Sequence, residues 1–464
     1  MNIKAAYIVP HPPLIVPAVG KGQEKEIGET INAYKEVAED IKHLNPDTIV
    51  IVSPHSIMYA DYFHISPGSS AVGDFGGFRA PQVSFQIKYD QEFSNYLVTL
   101  SEKNDIAAGF LGEREANLDH GTMVPLYFIK EACGEQLSSK FVRIGLSGFS
   151  FEEHYKLGQL IQKTATELGR NIVFIASGDL SHRLKKEGPY GYKKEGPEYD
   201  NQIMDYVSNA DFYSLLMMKE EFCELAGECG QRSFCMMAGV LDGIDVKARK
   251  LSYEGPFGVG YGIVSFHPLG FKVDRKILEK VNFDKRKRRE ERKEKEDSYV
   301  KLARKSLEEY VSSGRKIWVE EDLPEELLNS RAGCFVSLKI EGRLRGCIGT
   351  TAPTKNSLAE EIIENAINAA VHDPRFDPVE VGELEYLEYS VDVLGPTTDI
   401  ASPEELDVKK YGVIVSKGYK RGLLLPNLEG IDTIEEQIRI AKQKAGIAEK
   451  EDVKLQRFEV IRHF

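Results

Sequence analysis

Three histidines in the first half of the chain each follow a short apolar run rich in β-branched residues: His11 follows Ile3–Val9, His55 follows Thr48–Val52, and His182 follows Asn171–Ala176. Such runs predict buried strands. In open α/β sheets, ligands bind in the crevice outside the carboxyl ends of the strands, so these histidines are predicted to converge. Imidazole binds iron, zinc, copper and nickel, and two histidines with a carboxylate form the facial triad of non-haem Fe(II) oxygenases. The spacing therefore favours a metal site.

A fourth histidine, His120, lies in the sequence Asp119-His120-Gly121-Thr122, just before an apolar stretch. Polar residues before an apolar run are typical of a helix start. One histidine in such a place is most often a loop or capping residue, but several at strand ends of one domain favour a shared site. The remaining histidines have no such placement and are interpreted as structural: His43, His64, His154, His267, His372 and His463.

Two neighbouring residues are candidates for a third metal ligand. Glu228 and Cys229 lie in a glycine-flanked loop before the apolar helix predicted over Phe234–Leu241. Glu228 would complete a triad of two histidines and a carboxylate, whereas Cys229 would make a softer site. Adjacent side chains usually project in different directions, so we expect only one of them to bind. Alternatively, Glu228 is an acid that stabilises the start of the helix.

The elements that must position these residues predict an α/β fold. Apolar runs alternate with segments of helical spacing, such as Glu24–Leu44 and Glu153–Leu168, and further strands are expected at Phe141–Leu146 and Gly258–Phe266. This pattern predicts a mostly parallel or mixed central sheet flanked by helices on both faces. The segment Phe63–Gln86, rich in Gly, Ser and Phe, is expected to form a long functional loop or a hairpin.

A charged segment separates this region from a second domain. Residues 284–297 contain no apolar side chain, with eight positive and six negative charges. They predict a linker or a solvated helix that continues into the next helix. The expected division is therefore a first domain over 1–270, a charged linker over 271–297 and a second, α+β domain over 298–464.

The bulk composition excludes some classes of partner. Lys and Arg number 60 against 73 Asp and Glu, for a net charge of −13, which argues against a nucleic acid or an anionic membrane as the main partner. No apolar run reaches the roughly 20 residues that a membrane span needs. The six cysteines form no C-x-x-C pair. A cytoplasmic location is therefore expected, and an oligomer is compatible with the sequence.

The first domain resembles the LigB-type catalytic subunit of class III extradiol dioxygenases, and equally the non-ring-cleaving Memo family. The motifs that carry the resemblance occur in order over residues 1–270: His11-Pro12-Pro13, Ser53-Pro54-His55, Asp119-His120-Gly121, Ser177-Gly178-Asp179-Leu180-Ser181-His182 and Glu228-Cys229-Gly230.

This resemblance implies roles for the motif residues. His11, His55 and Glu228 would hold Fe(II), with zinc or copper as alternatives. His182 would be the catalytic acid/base, and His120 a second group near a small aromatic substrate and O₂. Memo-like proteins have Cys-Gly where dioxygenases need the carboxylate, so Cys229 is the alternative third ligand.

Residues 298–464 resemble the AMMECR family through Leu344-Arg345-Gly346-Cys347-Ile348-Gly349-Thr350. The pair of domains resembles two parts of the AmmeMemoRadiSam system, which implies a radical-SAM protein as a partner. Arg345 and Cys347, with His372, could make a thiolate site, because a cation lowers the pKa of a thiol. Alternatively, Cys347 is a core residue beside glycines that bend a strand. In that case Arg345 remains the better candidate, as an anion contact.

Two functions remain open at this point. The leading hypothesis is an Fe(II)-dependent extradiol-dioxygenase-like oxidoreductase acting on a catecholic or related aromatic substrate, with the AMMECR domain recruiting a substrate or partner. The alternative is a Memo-like protein that binds a metal or a peptide without cleaving rings and works with a radical-SAM partner in a modification or redox pathway.

Overall fold

A computed structural model describes residues 1–134, 137–428 and 430–464. The chain divides into two compact units, Met1–Asp284 and Lys285–Phe464. Each unit has hydrophobic cores of its own. No helix in the described ranges is both long enough and apolar enough to cross a membrane.

Unit 1 is built around a mixed six-stranded sheet with the order β7-β2-β8-β1-β10-β9. The strands of this unit are β1 Ile3–Val9, β2 Thr48–Ser53, β3 Phe63–His64, β4 Ser70–Phe75, β5 Ala80–Lys88, β6 Ala108–Gly109, β7 Lys140–Gly145, β8 Ile172–Ser177, β9 Ile244–Glu254 and β10 Tyr261–Phe271. Strands β7, β2, β8 and β1 are mutually parallel, whereas β10 and β9 are antiparallel at one edge. The predicted mixed sheet is confirmed.

Helices cover both faces of this sheet. The helices of this unit are α1 Pro17–Gly20, α2 Gly28–Leu44, α3 Gln91–Glu102, α4 His120–Cys133, α5 Phe151–Glu167, α6 Glu195–Ser208, α7 Phe212–Leu216, α8 Glu220–Ala226 and α9 Gln231–Val240, and α10 Ile277–Lys295 begins in it. Successive residues of one strand point to opposite faces. Thus Ile49 and Ile51 belong to the core that includes α2 and α4, whereas Val50 and Val52 belong to the core that includes α5 and α9. Burial on both faces explains why these strands are continuously apolar.

The segment expected as a loop or hairpin contains the antiparallel hairpin β4–β5, whose turn is Gly76–Phe78, so the hairpin expectation is confirmed. The last strands differ from the expected pattern. The closing strand expected over Gly258–Phe266 begins later, at Tyr261, and pairs with the edge strand β9. Strand β9 was not predicted, because exposed charged residues interrupt its apolar run.

The charged segment is helical and is not continuous with the next helix. Helix α10 ends at Lys295, and α11 begins at Ser298. Asp297 has an extended backbone, and its carboxylate accepts hydrogen bonds from the N–H groups of Tyr299 and Val300, so it caps the new helix. The two units meet in the chain at residues 284 and 285, within the expected linker 271–297.

Unit 2 is an α+β domain, as expected. Its helices are α11 Ser298–Ser313, α12 Glu325–Asn329, α13 Leu358–Val371 and α14 Ile434–Lys444. Its strands are β11 Cys334–Ile340, β12 Arg343–Gly349, β13 Leu387–Leu394, β14 Thr398–Ile400, β15 Tyr411–Lys417, β16 Lys420–Leu424 and β17 Lys454–His463. All their pairings are antiparallel, with the order β12-β11-β13-β17-β15-β16, and β14 pairs with β17. Helices α11 and α13 pack on one face of the sheet.

Candidate metal centre

Three histidines from three separate segments meet beyond the carboxyl ends of the parallel strands. His11 follows β1, His55 follows β2, and His120 is the first residue of α4. One ring nitrogen from each lies within 4.8 Å of the others. The Nε2 atoms of His11 and His55 are 3.0 Å apart, and the ring centroids of His55 and His120 are 4.0 Å apart. The predicted convergence of His11 and His55 is therefore observed, and His120 joins them.

The ring of His11 is oriented by Ser177 at the tip of β8. The Ser177 hydroxyl lies 2.9 Å from His11 Nδ1 and donates its own hydrogen to the Gly121 carbonyl. Because the Ser177 hydroxyl donates its only hydrogen to Gly121, its oxygen can only accept from His11, and His11 Nδ1 is the donor. His11 Nε2 is then unprotonated in the neutral ring, and its lone pair faces the other histidines. This arrangement prepares Nε2 to bind a metal.

Asp119 connects the segments that carry His55 and His120. Its carboxylate accepts hydrogen bonds from the Ser53 hydroxyl, from the Thr122 N–H and from the Thr122 hydroxyl. Ser53 ends β2, and Thr122 is in the first turn of α4, so one carboxylate caps the helix and ties it to the strand. A Cβ on Gly121 would collide with Ser53 Oγ. This close approach explains the glycine in Asp119-His120-Gly121.

Cys229 approaches the cluster from the loop before α9. Its sulfur lies 3.6 Å from His11 Nε2 and accepts a hydrogen bond from the Asp179 N–H at 3.3 Å. A Cβ on Gly178 would collide with the backbone of Gly230, so glycine is required where these two loops cross. Burial raises the pKa of the Cys229 thiol well above its usual value.

Glu228 is held by the start of α9. Its carboxylate accepts a hydrogen bond from the N–H of Gln231 at the start of α9, and burial raises its pKa to about 7. Among the described residues, the group of mutually close ligand atoms consists of His11, His55 and His120 and includes neither Glu228 nor Cys229. The structure thus brings Cys229 near the cluster and places Glu228 in the alternative position foreseen for it, at a helix N-terminus. The two side chains diverge because they are adjacent in the chain.

His182 lies beside the three clustered histidines with an unused ring nitrogen. Its Nε2 is buried and has no hydrogen-bond partner among the described residues. Burial, together with repulsion from His55 and Arg183, lowers the pKa of His182 to about 4. This placement is compatible with the proton-transfer role expected of His182, which remains a prediction.

The donor set fits a divalent metal ion. Burial lowers the pKa of His11 and of His55, and it lowers the pKa of His120 to about 4. All three imidazoles are therefore neutral at pH 7, with lone pairs available to a cation. Neutral imidazoles suit iron, zinc and copper, and the nearby thiol of Cys229 adds a soft donor.

Comparison with known families identifies the fold of this site. Residues 5–264 match the family described as the catalytic LigB subunit of aromatic ring-opening dioxygenase. The chain belongs to the LigB family. Residues 300–463 match the AMMECR1 family. The protein is thus a LigB domain joined to an AMMECR1 domain, consistent with a fusion of the AmmeMemoRadiSam type.

Relatives of the LigB–AMMECR1 protein occur in bacteria and archaea. Protein CA_C1420 of Clostridium acetobutylicum is 42% identical over 476 residues, covering 100% of this chain and 99% of that protein. A protein of Thermotoga maritima is 55% identical over 170 residues, covering 36% of this chain and 98% of its own length. The crystal structure of uncharacterized protein PH0010 from Pyrococcus horikoshii is 37% identical, covers 35% of this chain and 88% of its own, and has a TM-score of 0.33. These names state no activity.

The two candidate residues of the AMMECR1 domain, Arg345 and Cys347, bind different partners. Arg345 forms a two-pronged ion pair with Glu383, at 2.7 and 2.9 Å. Cys347 is half-buried, and its sulfur accepts a hydrogen bond from the Ser337 hydroxyl at 3.2 Å. Arg375 is the guanidinium that contacts Cys347, through the Cys347 carbonyl. The pairing of Arg345 with Glu383 therefore replaces the expected pairing of Arg345 with the thiol.

His372, the third residue considered for that thiolate site, is occupied elsewhere. Its Nδ1 lies 2.9 Å from the side-chain oxygen of Asn368, one turn earlier on α13. Asp373 instead accepts the Cys347 N–H and binds Arg375. Asp373 and Arg375 were not predicted as neighbours of Cys347, although both follow the candidate His372 closely in the sequence.

Proposed function

We propose that the LigB domain is a metal-dependent oxidoreductase of the extradiol dioxygenase type, acting on a catecholic or related aromatic substrate with O₂. The observation that carries the proposal is the convergence of ring nitrogens from His11, His55 and His120, with the unpaired Nε2 of His182 beside them. His11, His55 and His120 would hold Fe(II), and Glu228 would not. Zinc and copper are the alternative metals. The AMMECR1 domain would recruit the substrate or a partner.

When bound, a divalent metal supplies positive charge that acidifies a coordinated hydroxyl group and a template that holds two reactants together. Ser177 would hold the imidazole of His11, and Asp119 would hold the segments that carry His55 and His120. His182, neutral at pH 7, accepts the proton released by the substrate hydroxyl at its Nε2 and returns it later.

The first test is metal content. The full-length protein, purified without oxygen, should contain about one metal ion per chain by mass spectrometry, and His11→Ala, His55→Ala and His120→Ala should each lose most of it. Glu228→Gln should retain the metal, because this side chain caps a helix. His43→Ala changes an exposed histidine outside the cluster and is the matched control. Full metal content in all three cluster variants would refute the metal centre.

The second test separates catalysis from metal binding. With Fe(II) bound, the protein should consume oxygen with at least one member of a panel of catechols and aminophenols. His182→Ala should retain the metal and slow this reaction by about 10²-fold or more, because it removes a base and leaves the ligands intact. Loss of metal from His182→Ala would instead make His182 a ligand.

A Memo-like function is the second candidate, and the contact of Cys229 with His11 favours it. Three imidazoles without a carboxylate, next to a thiol, are compatible with a protein that binds zinc or copper and does not cleave rings. This candidate, in which a radical-SAM protein is the partner, takes the lead if the Fe(II)-loaded protein consumes no oxygen with any substrate of the panel.

A further inference from the structure

Two exposed aromatic side chains pack against histidines of the candidate metal centre. Phe78 contacts His120, and Tyr190 contacts His182. The two residues come from segments distant in sequence, the turn between β4 and β5 and the loop between β8 and α6. Neither was singled out from the sequence, because an isolated Phe or Tyr in a glycine-rich loop carries no pattern.

Phe78 is held in place from one side and open on the other. Its ring meets His120 edge to face, with centroids 5.4 Å apart and planes at 71°. Behind it, the buried ring of Phe75 lies 6.0 Å away. The next residue, Arg79, has a left-handed φ of 63° that closes the hairpin turn. Phe78 nevertheless remains 37% exposed.

Tyr190 has a similar position next to His182. The two ring centroids are 5.1 Å apart and the planes are tilted by 36°. The loop is closed by a bridge between Leu184 and Tyr192, so its ends are fixed while its tip projects outward. Tyr190 is 62% exposed. An aromatic ring in this position leaves apolar surface in water beside the buried, unpaired Nε2 of His182.

Exposed aromatic rings beside a histidine cluster are suited to hold flat ligands. Aromatic rings prefer offset or edge-to-face contact at centroid distances of about 4.5–7 Å, so a planar ligand bound at the histidines would gain contact with rings that otherwise face water. An aliphatic ligand with the same oxygen donors would reach the histidines without making these contacts.

We propose that Phe78 and Tyr190 hold the ring of an aromatic, oxygen-chelating ligand over the histidine cluster and so select such ligands over aliphatic chelators. This inference rests on the proposed metal centre at His11, His55 and His120. It assigns specificity to two side chains that bind no metal.

The test compares two ligands that offer two oxygen donors each. The full-length protein, loaded with redox-inert Zn²⁺, is titrated calorimetrically with 4-nitrocatechol and separately with acetohydroxamic acid. Phe78→Ala and Tyr190→Ala should each weaken 4-nitrocatechol binding by about three- to tenfold and change acetohydroxamic acid binding less than about twofold. Both variants should retain the zinc content of the wild type.

Conservative variants provide the matched controls. Tyr190→Phe keeps the ring and should bind 4-nitrocatechol like the wild type, whereas Phe78→Leu keeps apolar packing against Phe75 but loses the ring and should behave like Phe78→Ala. Tyr192→Ala removes an exposed tyrosine of the same loop, 49% exposed, and should be neutral.

The outcomes separate this inference from the proposed function. If both ligands bind the wild type but the variants weaken neither, or weaken both equally, the role of the two rings is refuted while the metal centre stands. If the wild type holds zinc at the three histidines and prefers acetohydroxamic acid, the selectivity is refuted. A wild type that binds no zinc contradicts the metal centre itself and, with it, this inference.

Discussion

The geometry of the histidine cluster depends on side chains that bind no ligand themselves. Asp119 joins the end of β2 to the start of α4 through Ser53 and Thr122, and the buried guanidinium of Arg143 lies 3.8 Å behind it. His55 and His120 are each one or two residues from this junction. A change at Asp119 should therefore act on the metal through the position of these imidazoles.

We expect Asp119→Ala to lower metal affinity by about 10–100-fold and to cost about 1 kcal/mol of stability as a lost helix cap. Asp119→Asn keeps one acceptor oxygen, so it should lose less metal affinity and less stability than Asp119→Ala. Metal affinity is measured by competition with a chelator, and stability by thermal unfolding of the metal-free protein. Asp211→Ala is the control. Asp211 caps α7 by accepting a hydrogen bond from the Ser214 N–H, so its loss should lower stability and leave metal affinity unchanged. Unchanged affinity in Asp119→Ala would contradict the role of the junction.

The sequence predicted that His11, His55 and His182 converge, whereas the ring nitrogens that lie within 4.8 Å of one another are those of His11, His55 and His120. Strand ends can be recognised from apolar runs, and the carboxyl ends of parallel strands share one edge, so His11 and His55 could be placed together in advance. Side-chain direction in a loop is set by local turns and helix starts, which spacing does not reveal. Glu228 and Cys229 therefore could not be told apart until the start of α9 at Gln231 was known.

At the scale of elements, periodicity identified the buried strands and long helices and missed the irregular ones. Strands β1, β2 and β8 have almost entirely buried residues, and such runs stand out in a sequence. Strand β9 lies at the sheet edge with only part of its side chains buried, so its pattern is weak. The strand order could not be predicted, because pairing partners such as β1 and β8 are far apart in the chain.

The first turns of α5 contain a buried histidine, His154, that makes stability depend on pH. His154 Nε2 accepts the N–H of Ser147 at 3.3 Å, and its Nδ1 donates to the Ser150 carbonyl at 2.9 Å. Burial lowers the pKa of His154 to about 3. Since the unfolded chain takes up this proton below about pH 6.5 and the folded chain does not, the stabilisation is present above pH 6.5 and is lost progressively from there down to about pH 3.

The prediction is that His154→Gln unfolds with a shallower acid dependence than the wild type. Between pH 7 and pH 5 the stability difference between the two proteins should shrink by about 2 kcal/mol, because one pKa unit corresponds to about 1.4 kcal/mol. Urea unfolding at pH 7, 6 and 5 measures it. His43→Gln, at an exposed position, provides the reference. Parallel curves for the wild type and His154→Gln would rule out this contribution.

For the whole molecule, the sequence predicted two domains with the first ending at residue 270, and the compact units of the structure divide between Asp284 and Lys285. Residues 284–297 contain no apolar side chain, so the division could be predicted from composition. The start of α10 lies before that stretch and carries Ile277, Leu278 and Val281, which pack into the core of unit 1. Three apolar residues within one helical turn and a half are too few to reveal their partner by periodicity.

A pair of fragments distinguishes the two boundaries. Fragment 1–284 keeps the start of α10, whereas fragment 1–270 ends at the boundary expected from the sequence and loses Ile277, Leu278 and Val281. Burial of each such side chain contributes about 1.5–3 kcal/mol, and Ile277 also donates its N–H to Asp242, which binds Tyr155. Fragment 1–270 should therefore melt about 10 °C or more below fragment 1–284, at about 2–4 °C per kcal/mol.

The control for this comparison uses the intact chain. Val281 is completely buried, so Val281→Ala should lower the melting temperature of unit 1 in the full-length protein. Lys280→Ala, one residue earlier, removes a side chain that lies over the Tyr213 ring and should cost less. Both fragments should bind the same amount of metal when folded. His11 follows the end of β1, whereas β10 runs antiparallel to β1 and ends near its start, so the truncation lies at the other end of the sheet from the histidines. Equal melting temperatures for the two fragments would place the end of the first domain at residue 270, and the start of α10 would then be a linker after all.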